Sequence, residues 1–220
     1  MMRFAIIVAG GTGQRFGSQI PKQFLTLKGL PILMHTITTF HKFDSSMLII
    51  VTLPGDFIEM WQALCSEYKF SIPHKIVQGG ETRFHSVKNG LNAIDNSGIV
   101  AIHDAVRPLV SKDTLLRCYE TANRTGNAVP VISLIDSIRQ LKGDTSKQVK
   151  RDDFVLVQTP QVFEITLLKK AYEQPYVLEF TDDASVVEKI GTKIILVEGN
   201  RENIKITNQT DMLIAEALLK

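Results

Sequence analysis

Cysteine is scarce in this sequence. Cys65 and Cys118 are the only two among 220 residues, and neither has a partner at metal-ligand spacing. That leaves no disulfide framework. The two thiols fall in separate helical patterns and are expected as small core residues in a reducing compartment. Charge of one sign is lacking as well. Against 25 Lys and Arg stand 23 Asp and Glu, a net of +2, too little to make nucleic acid or an anionic membrane the main partner. Long hydrophobic runs are missing too. The opening FAIIVA, Phe4–Ala9, is far shorter than a membrane span, and glycines interrupt it where a signal peptide would stay apolar. No internal repeat or low-complexity tract is visible, and a cytoplasmic location is expected.

What is present is an ordinary globular composition, 44% hydrophobic and 22% charged. A chain of this length buries roughly 70% of its extended surface and needs no staple, so residues 1–220 are expected to form one domain. Apolar strand patterns at Phe4–Ala9, Leu48–Leu53, around Ile76–Val77, Ile99–His103, Ala128–Val131 and Ile194–Glu198 alternate with helical ones. The helical patterns cover Pro31–Phe43, Phe57–Tyr68, Thr82–Ile94, Asp113–Thr125 and Thr210–Leu219. Strands apolar on both faces, separated by helices, predict an α/β fold: a Rossmann-like, mostly parallel sheet with helices on both faces. Ligands of such sheets bind beyond the carboxyl ends of the strands. The segment 133–158 breaks this rhythm. It is strand-like, then polar around Gly143-Asp144, then strand-like again, which predicts a projecting β-hairpin arm. A lone two-stranded hairpin is marginal in water, so the arm is expected to pack against a second subunit.

The first strand runs into AGGTGQRFGSQIPKQ, Ala9 to Gln23. A dinucleotide fingerprint would need a small residue where Phe16 stands and an acidic one at the tip of the second strand, which ends Thr52-Leu53-Pro54. An NTPase phosphate loop would need Gly-Lys-Ser/Thr, a tripeptide this sequence lacks. What remains is a glycine loop whose residues 10, 11 and 13 would let backbone N–H groups approach phosphate oxygens. Arg15 can add a two-pronged grip on those oxygens and Lys22 a compact charge.

That loop resembles those of sugar-nucleotide pyrophosphorylases and nucleotidyltransferases. PKQF at 21–24, GGETRFHSV at 79–87, HDAVRP at 103–108, Asp136-Ser137, Arg151, QTPQVF at 158–163, TDDAS at 181–185 and VEGNRENIKIT at 197–207 follow in order. Together they resemble the 2-C-methyl-D-erythritol 4-phosphate cytidylyltransferase family along essentially the whole chain. Ser137 stands where that family often has threonine, and both carry a hydroxyl.

The resemblance implies a reaction of CTP with a polyol phosphate, giving a CDP-linked alcohol and pyrophosphate. A phosphomonoester with a second pKa of about 6 is already mostly a dianion at neutral pH, so no general base is needed. Catalysis falls to cations. By motif match Arg15 and Lys22 would stabilise charge at the α-phosphate, while Arg151 and Lys205 would hold the attacking phosphate, Arg151 reaching over from the other subunit of a homodimer. Lys205 lies in a strand-like NIKIT, facing away from Ile204 and Ile206. Ala9, Gly10, Gly11, Gly13, Gly80, Arg83 and Ser86 would line the nucleotide site, the last three near the cytosine edge. Asp104 would serve ribose, substrate hydroxyls or Mg²⁺, the ion itself being held mainly by the triphosphate. Arg107, Ser137 and Thr181 would contribute to the polyol pocket, and Thr181 reads equally as a helix N-cap. His103 reads as structural. Ribitol 5-phosphate or another polyol phosphate stands as an alternative substrate, and a non-catalytic nucleotide sensor as an alternative class.

Overall fold

A computed structural model describes residues 1–11 and 20–219. Twelve strands and seven helices follow one another along these residues. The first strand, β1 (Arg3–Val8), precedes a short antiparallel pair, β2 (Thr26–Leu27) and β3 (Leu30–Pro31), then helix α1 (Ile32–Phe43). Next come β4 (Leu48–Leu53), α2 (Ile58–Glu67), β5 (Lys75–Gln78), α3 (Arg83–Asn92), β6 (Ile99–Asp104), α4 (Lys112–Thr125) and β7 (Asn127–Ser133). The hairpin β8 (Arg139–Lys142) and β9 (Thr145–Gln148) is followed by β10 (Val155–Val157), β11 (Gln161–Glu164), α5 (Ile165–Ala171), α6 (Asp183–Glu188), β12 (Leu196–Glu198) and α7 (Gln209–Leu218).

Eight strands form one sheet in the order β10-β7-β11-β6-β1-β4-β5, with β12 also paired to β7. The pairs β1–β4, β1–β6, β4–β5 and β7–β12 are parallel. Strand β11 runs antiparallel between β6 and β7, and β10 antiparallel along the end of β7. The expected mostly parallel α/β sheet is therefore present, with these two antiparallel insertions. Strand β1 explains the two-sided core. Ala5 and Ile7 point into a cluster with Leu33, Ile37 and Phe40 of α1, Trp61 of α2 and Leu115 of α4. Phe4, Ile6 and Val8 point the opposite way, to Phe84, Val87 and Leu91 of α3 and Leu168 of α5. The period-two alternation of a strand places both sets in the core at once.

Several details depart from the sequence expectation. Of the segment 133–158, Ser133 ends β7 and Val155–Val157 form β10 of the main sheet, so the projecting part is the stretch between them that carries the β8–β9 hairpin. Its turn is Gly143-Asp144, with Gly143 at a φ of 55° that favours glycine. Residues 203–207 are not a strand, although the alternation holds: Ile204 and Ile206 pack together while Lys205 is exposed. Cys118 is fully buried, with burial pushing its thiol up to about 12. Cys65 is only half-buried, so one of the two expected core thiols lies at the core's edge. Among the described residues no helix is long and apolar enough to cross a membrane.

Candidate active site

The carboxyl ends of β1, β5 and β6 meet at a cleft of about 260 Å³, lined by Gly10, Gly11, Lys22, Gly80, Arg83, Ser86, Asp104 and Lys205, among others. Each strand delivers its residues differently. After β1 the chain enters the glycine loop and returns at a 3₁₀ turn, Lys22–Phe24, that places Lys22 beside Gly11. Gly13 and Arg15, expected on this loop, lie outside the described residues. Ala9 is buried where β1 gives way to the loop.

After β5 the chain crosses Gly79-Gly80 and starts α3, with Thr82 as N-cap accepting from the His85 backbone N–H. The Ser86 hydroxyl accepts from the Gly80 N–H at 3.1 Å and lies 3.0 Å from the Thr82 carbonyl, a contact in which the hydroxyl donates. Ser86 thereby fixes the turn that lines the cleft. The Arg83 guanidinium is gripped through two bonds by Asp183 at 3.0 and 2.6 Å, and Tyr172 donates to the same carboxylate at 2.6 Å. Asp183 is fully buried. Burial opposes the charge on Arg83, but the attraction of Asp183 outweighs it and raises the guanidinium pKa further.

Asp104, the last residue of β6, gathers the remaining cations. Its Oδ2 accepts from Arg107 Nε at 3.1 Å and from Lys205 Nζ at 3.1 Å, and its Oδ1 lies 3.9 Å from Arg83 Nε. Burial alone would raise its pKa. Lys205, Arg83 and Arg107 prevail and hold the carboxyl well below the usual range. Arg107 also donates to the Asn203 carbonyl at 2.8 Å, tying the HDAVRP turn to the segment that carries Lys205. Behind Asp104, the fully buried His103 lies 2.9 Å from the Arg107 carbonyl and 3.1 Å from the Thr159 hydroxyl. The Arg107 carbonyl can only accept, so His103 Nε2 carries a hydrogen, and with the ring neutral Nδ1 accepts from the Thr159 hydroxyl, whose oxygen also accepts the Asp104 N–H. The ring is neutral because burial pushes the imidazole down to about 4.

The cleft therefore unites Gly10, Gly11, Lys22, Gly80, Arg83, Ser86, Asp104 and Lys205 of the expected set, with Arg107 attached through Asp104. Ser137 and Arg151 lie elsewhere, together in a separate groove at the foot of the hairpin, where Arg151 donates to the Ile135 carbonyl and lies 3.8 Å from Asp152. Thr181 is exposed and is not the N-cap of α6. Asp182 takes that part, accepting from the Ser185 N–H at 2.9 Å in a capping box. Sequence reasoning missed Asp183 and Gln23, although both stand inside quoted motifs. Asp183 accepts from Tyr172 and Gln23 donates to the Ala9 carbonyl, contacts between different elements that no local pattern announces.

A family model described as IspD, 2-C-methyl-D-erythritol 4-phosphate cytidylyltransferase, matches residues 3–220. The chain belongs to this family. IspD relatives named as that cytidylyltransferase from Bacteroides fragilis and Phocaeicola vulgatus are each 53% identical to it over 219 residues, covering 100% of both chains. The crystal structure of the Francisella tularensis IspD superposes with a TM-score of 0.84 at 33% identity, again covering 100% of each chain. The IspD family is one of nucleotidyltransferase enzymes, and the cleft described here lies where an α/β sheet of this kind binds its ligands.

Proposed function

We propose that this protein joins CTP to 2-C-methyl-D-erythritol 4-phosphate, giving 4-diphosphocytidyl-2-C-methyl-D-erythritol and pyrophosphate. The observation that carries this reading is the convergence of Lys22 and Lys205, from opposite ends of the chain, on one cleft floored by Gly10, Gly11 and Gly80. A phosphate oxygen of the polyol attacks the α-phosphorus of CTP, and the bond from that phosphorus to the bridging oxygen of the β-phosphate breaks. No proton has to be removed from the nucleophile. Two polyanions must approach each other, so fixed cations make the largest contribution. On this reading Lys22 and Arg15 face the triphosphate, and Lys205 with Arg151 of a second subunit faces the polyol phosphate. Asp104 keeps Lys205 and Arg107 in place, and Arg107, Ser137 and Thr181 are assigned to the polyol pocket.

Mg²⁺ belongs to this reading as a companion of the triphosphate. Asp104 is a poor direct ligand as arranged, because Oδ2 already faces two cations and Oδ1 a third. Among the described residues no group of three or more His, Cys, Asp or Glu could hold a metal. When bound, the ion would neutralise charge on the departing pyrophosphate. The homodimer is supported by the exposed apolar run Phe154, Val155, Leu156 and Val157 at the arm's return, together with Ile135. A cytoplasmic location accords with two unlinked thiols.

The test is pyrophosphate release with CTP and Mg²⁺ against a panel of methylerythritol 4-phosphate, ribitol 5-phosphate and related polyol phosphates. Turnover is expected to be fastest with the first. Preference for ribitol 5-phosphate, or binding of CTP without turnover, would overturn the assignment. Lys22→Ala is expected to lower kcat by roughly 10²–10³ with an unchanged circular dichroism spectrum, because it removes charge and no core volume.

A further inference from the structure

The side chain that follows Lys22 is buried, polar and unused by the mechanism above. Gln23 is 1% exposed, and its amide donates to the carbonyl of Ala9 at 2.8 Å. Ala9 is the residue at which the chain leaves β1 for the glycine loop, and its own N–H donates to the Thr52 carbonyl at 3.0 Å. Gln23 stands where the chain comes back. One hydrogen bond thus joins the departing and returning feet of the loop. It also satisfies a buried carbonyl at the point where the ladder of β1 ends.

The returning foot is anchored from behind. The 3₁₀ turn is closed by the Phe24 N–H to the Pro21 carbonyl at 2.9 Å and the Leu25 N–H to the Lys22 carbonyl at 3.2 Å. Phe24 stacks on Trp61, with ring centroids 5.9 Å apart and planes 14° from parallel, and meets Phe57 edge-on. The Trp61 indole N–H donates to His74 Nε2 at 2.9 Å, so one face of the turn rests on a fixed aromatic base. On its other side Gln23 reaches across to β1.

We propose that Gln23 is a positioning residue: by bonding the Ala9 carbonyl it holds the two feet of the glycine loop at a fixed separation and so sets where Lys22 meets the nucleotide phosphates. This rests on the proposed function, since the phosphates are those of CTP. Its effect falls on the nucleotide half of the site, because Lys205, Asp104 and Arg107 are held by bonds that do not involve Gln23.

Gln23→Met keeps the length and removes the donor. It is expected to lower kcat roughly tenfold or more, as misplacement of a positioned group does, and to raise KM for CTP. KM for the polyol phosphate should stay within about twofold, and Trp61 fluorescence should be unchanged. Gln23→Glu supplies a second variant. Its carboxyl can donate to Ala9 only when protonated, so its kcat relative to wild type should fall as pH rises between about 5 and 8. Amide exchange of residues 9–11 and 20–25 should quicken in Gln23→Met whether or not substrate is present. A Gln23→Met enzyme with kcat and both KM values within about twofold of wild type overturns the proposal. So does a variant in which both KM values rise together with a lowered unfolding midpoint, the mark of a merely structural residue. Faster exchange in Gln23→Met beside an inactive wild-type protein supports the strap and counts against the proposed function. Unchanged exchange beside an active wild type counts against the strap alone.

Discussion

At the scale of single residues, the site's order depends on protonation states that the surrounding bonds dictate. His103 is the clearest case. Its pKa is lowered from 6.5 to about 4 because burial disfavours the imidazolium. The unfolded chain therefore binds a proton between about pH 6.5 and 4 that the native protein refuses, and stability rises with pH across that window. Above pH 6.5 both states hold neutral histidine and the contribution is flat. A shift of this size corresponds to on the order of 3 kcal/mol lost between pH 6.5 and 4. Urea midpoints measured through that range should fall with pH in wild type. In His103→Asn they should start lower, for want of the buried hydrogen bonds, and fall less steeply. Asp104 acts in the same direction at lower pH: its depressed pKa adds stability that is present above the ordinary carboxylate range and is lost as pH drops through its native value.

At the scale of elements, α3 is the part whose placement matters most, because its first turn carries Arg83 and Ser86 into the cleft. Its approach to the sheet is set by Gly90, where an added Cβ would come within 2.9 Å of Ile6 Cγ2 and 3.2 Å of Thr52 Cγ2. Two effects oppose each other in Gly90→Ala. Alanine favours the helix by about 1 kcal/mol, while forcing a methyl into a filled core typically costs 1–3 kcal/mol. Both neighbours sit on central strands that cannot retreat, so the clash is expected to win. Gly90→Ala should lower the urea midpoint and weaken CTP binding measured by calorimetry, as the N-terminus of α3 is pushed off the cleft.

The elements also show what the sequence made legible. Helices α1, α2, α3, α4 and α7 lie within two residues of the boundaries their apolar spacing predicts. Their signals are local: Ser111 caps α4, Thr82 caps α3, and Pro31 precedes α1. The antiparallel β11 was not legible, because QVFE is four residues with only Val162 and Phe163 apolar, and its direction is set by its neighbours β6 and β7. Short α5 and α6 lack the length to display a helical period. In the cleft, Gly10, Gly11, Lys22, Gly80 and Lys205 stand inside motifs visible in the sequence, whereas the fork of Arg83 and Asp183 spans 100 residues and belongs to tertiary structure alone.

At the scale of the whole molecule, the described cleft and the groove holding Arg151 and Ser137 are two separate places on one chain. The proposed function needs both, which a dimer supplies if each arm serves its neighbour. Mixing Lys22→Ala with Arg151→Ala subunits tests this. Each mixed dimer would have one site with both residues intact and one with neither, so random exchange in equal amounts should restore about a quarter of wild-type turnover from two nearly inactive parents. No recovery after verified subunit exchange would show that the arm serves its own chain.

The pairing of Lys205 with Asp104 gives the resting cleft the character of an ion exchanger. Before any ligand arrives the lysine already has a counter-ion, so a weakly held monovalent anion gains little by entering. On the proposed function, a phosphomonoester dianion offers more charge than the carboxylate it competes with and would draw the ammonium outward. Selectivity for doubly charged ligands over chloride or acetate would then come from competition inside the protein, and steady-state turnover should tolerate monovalent salts better than other phosphates.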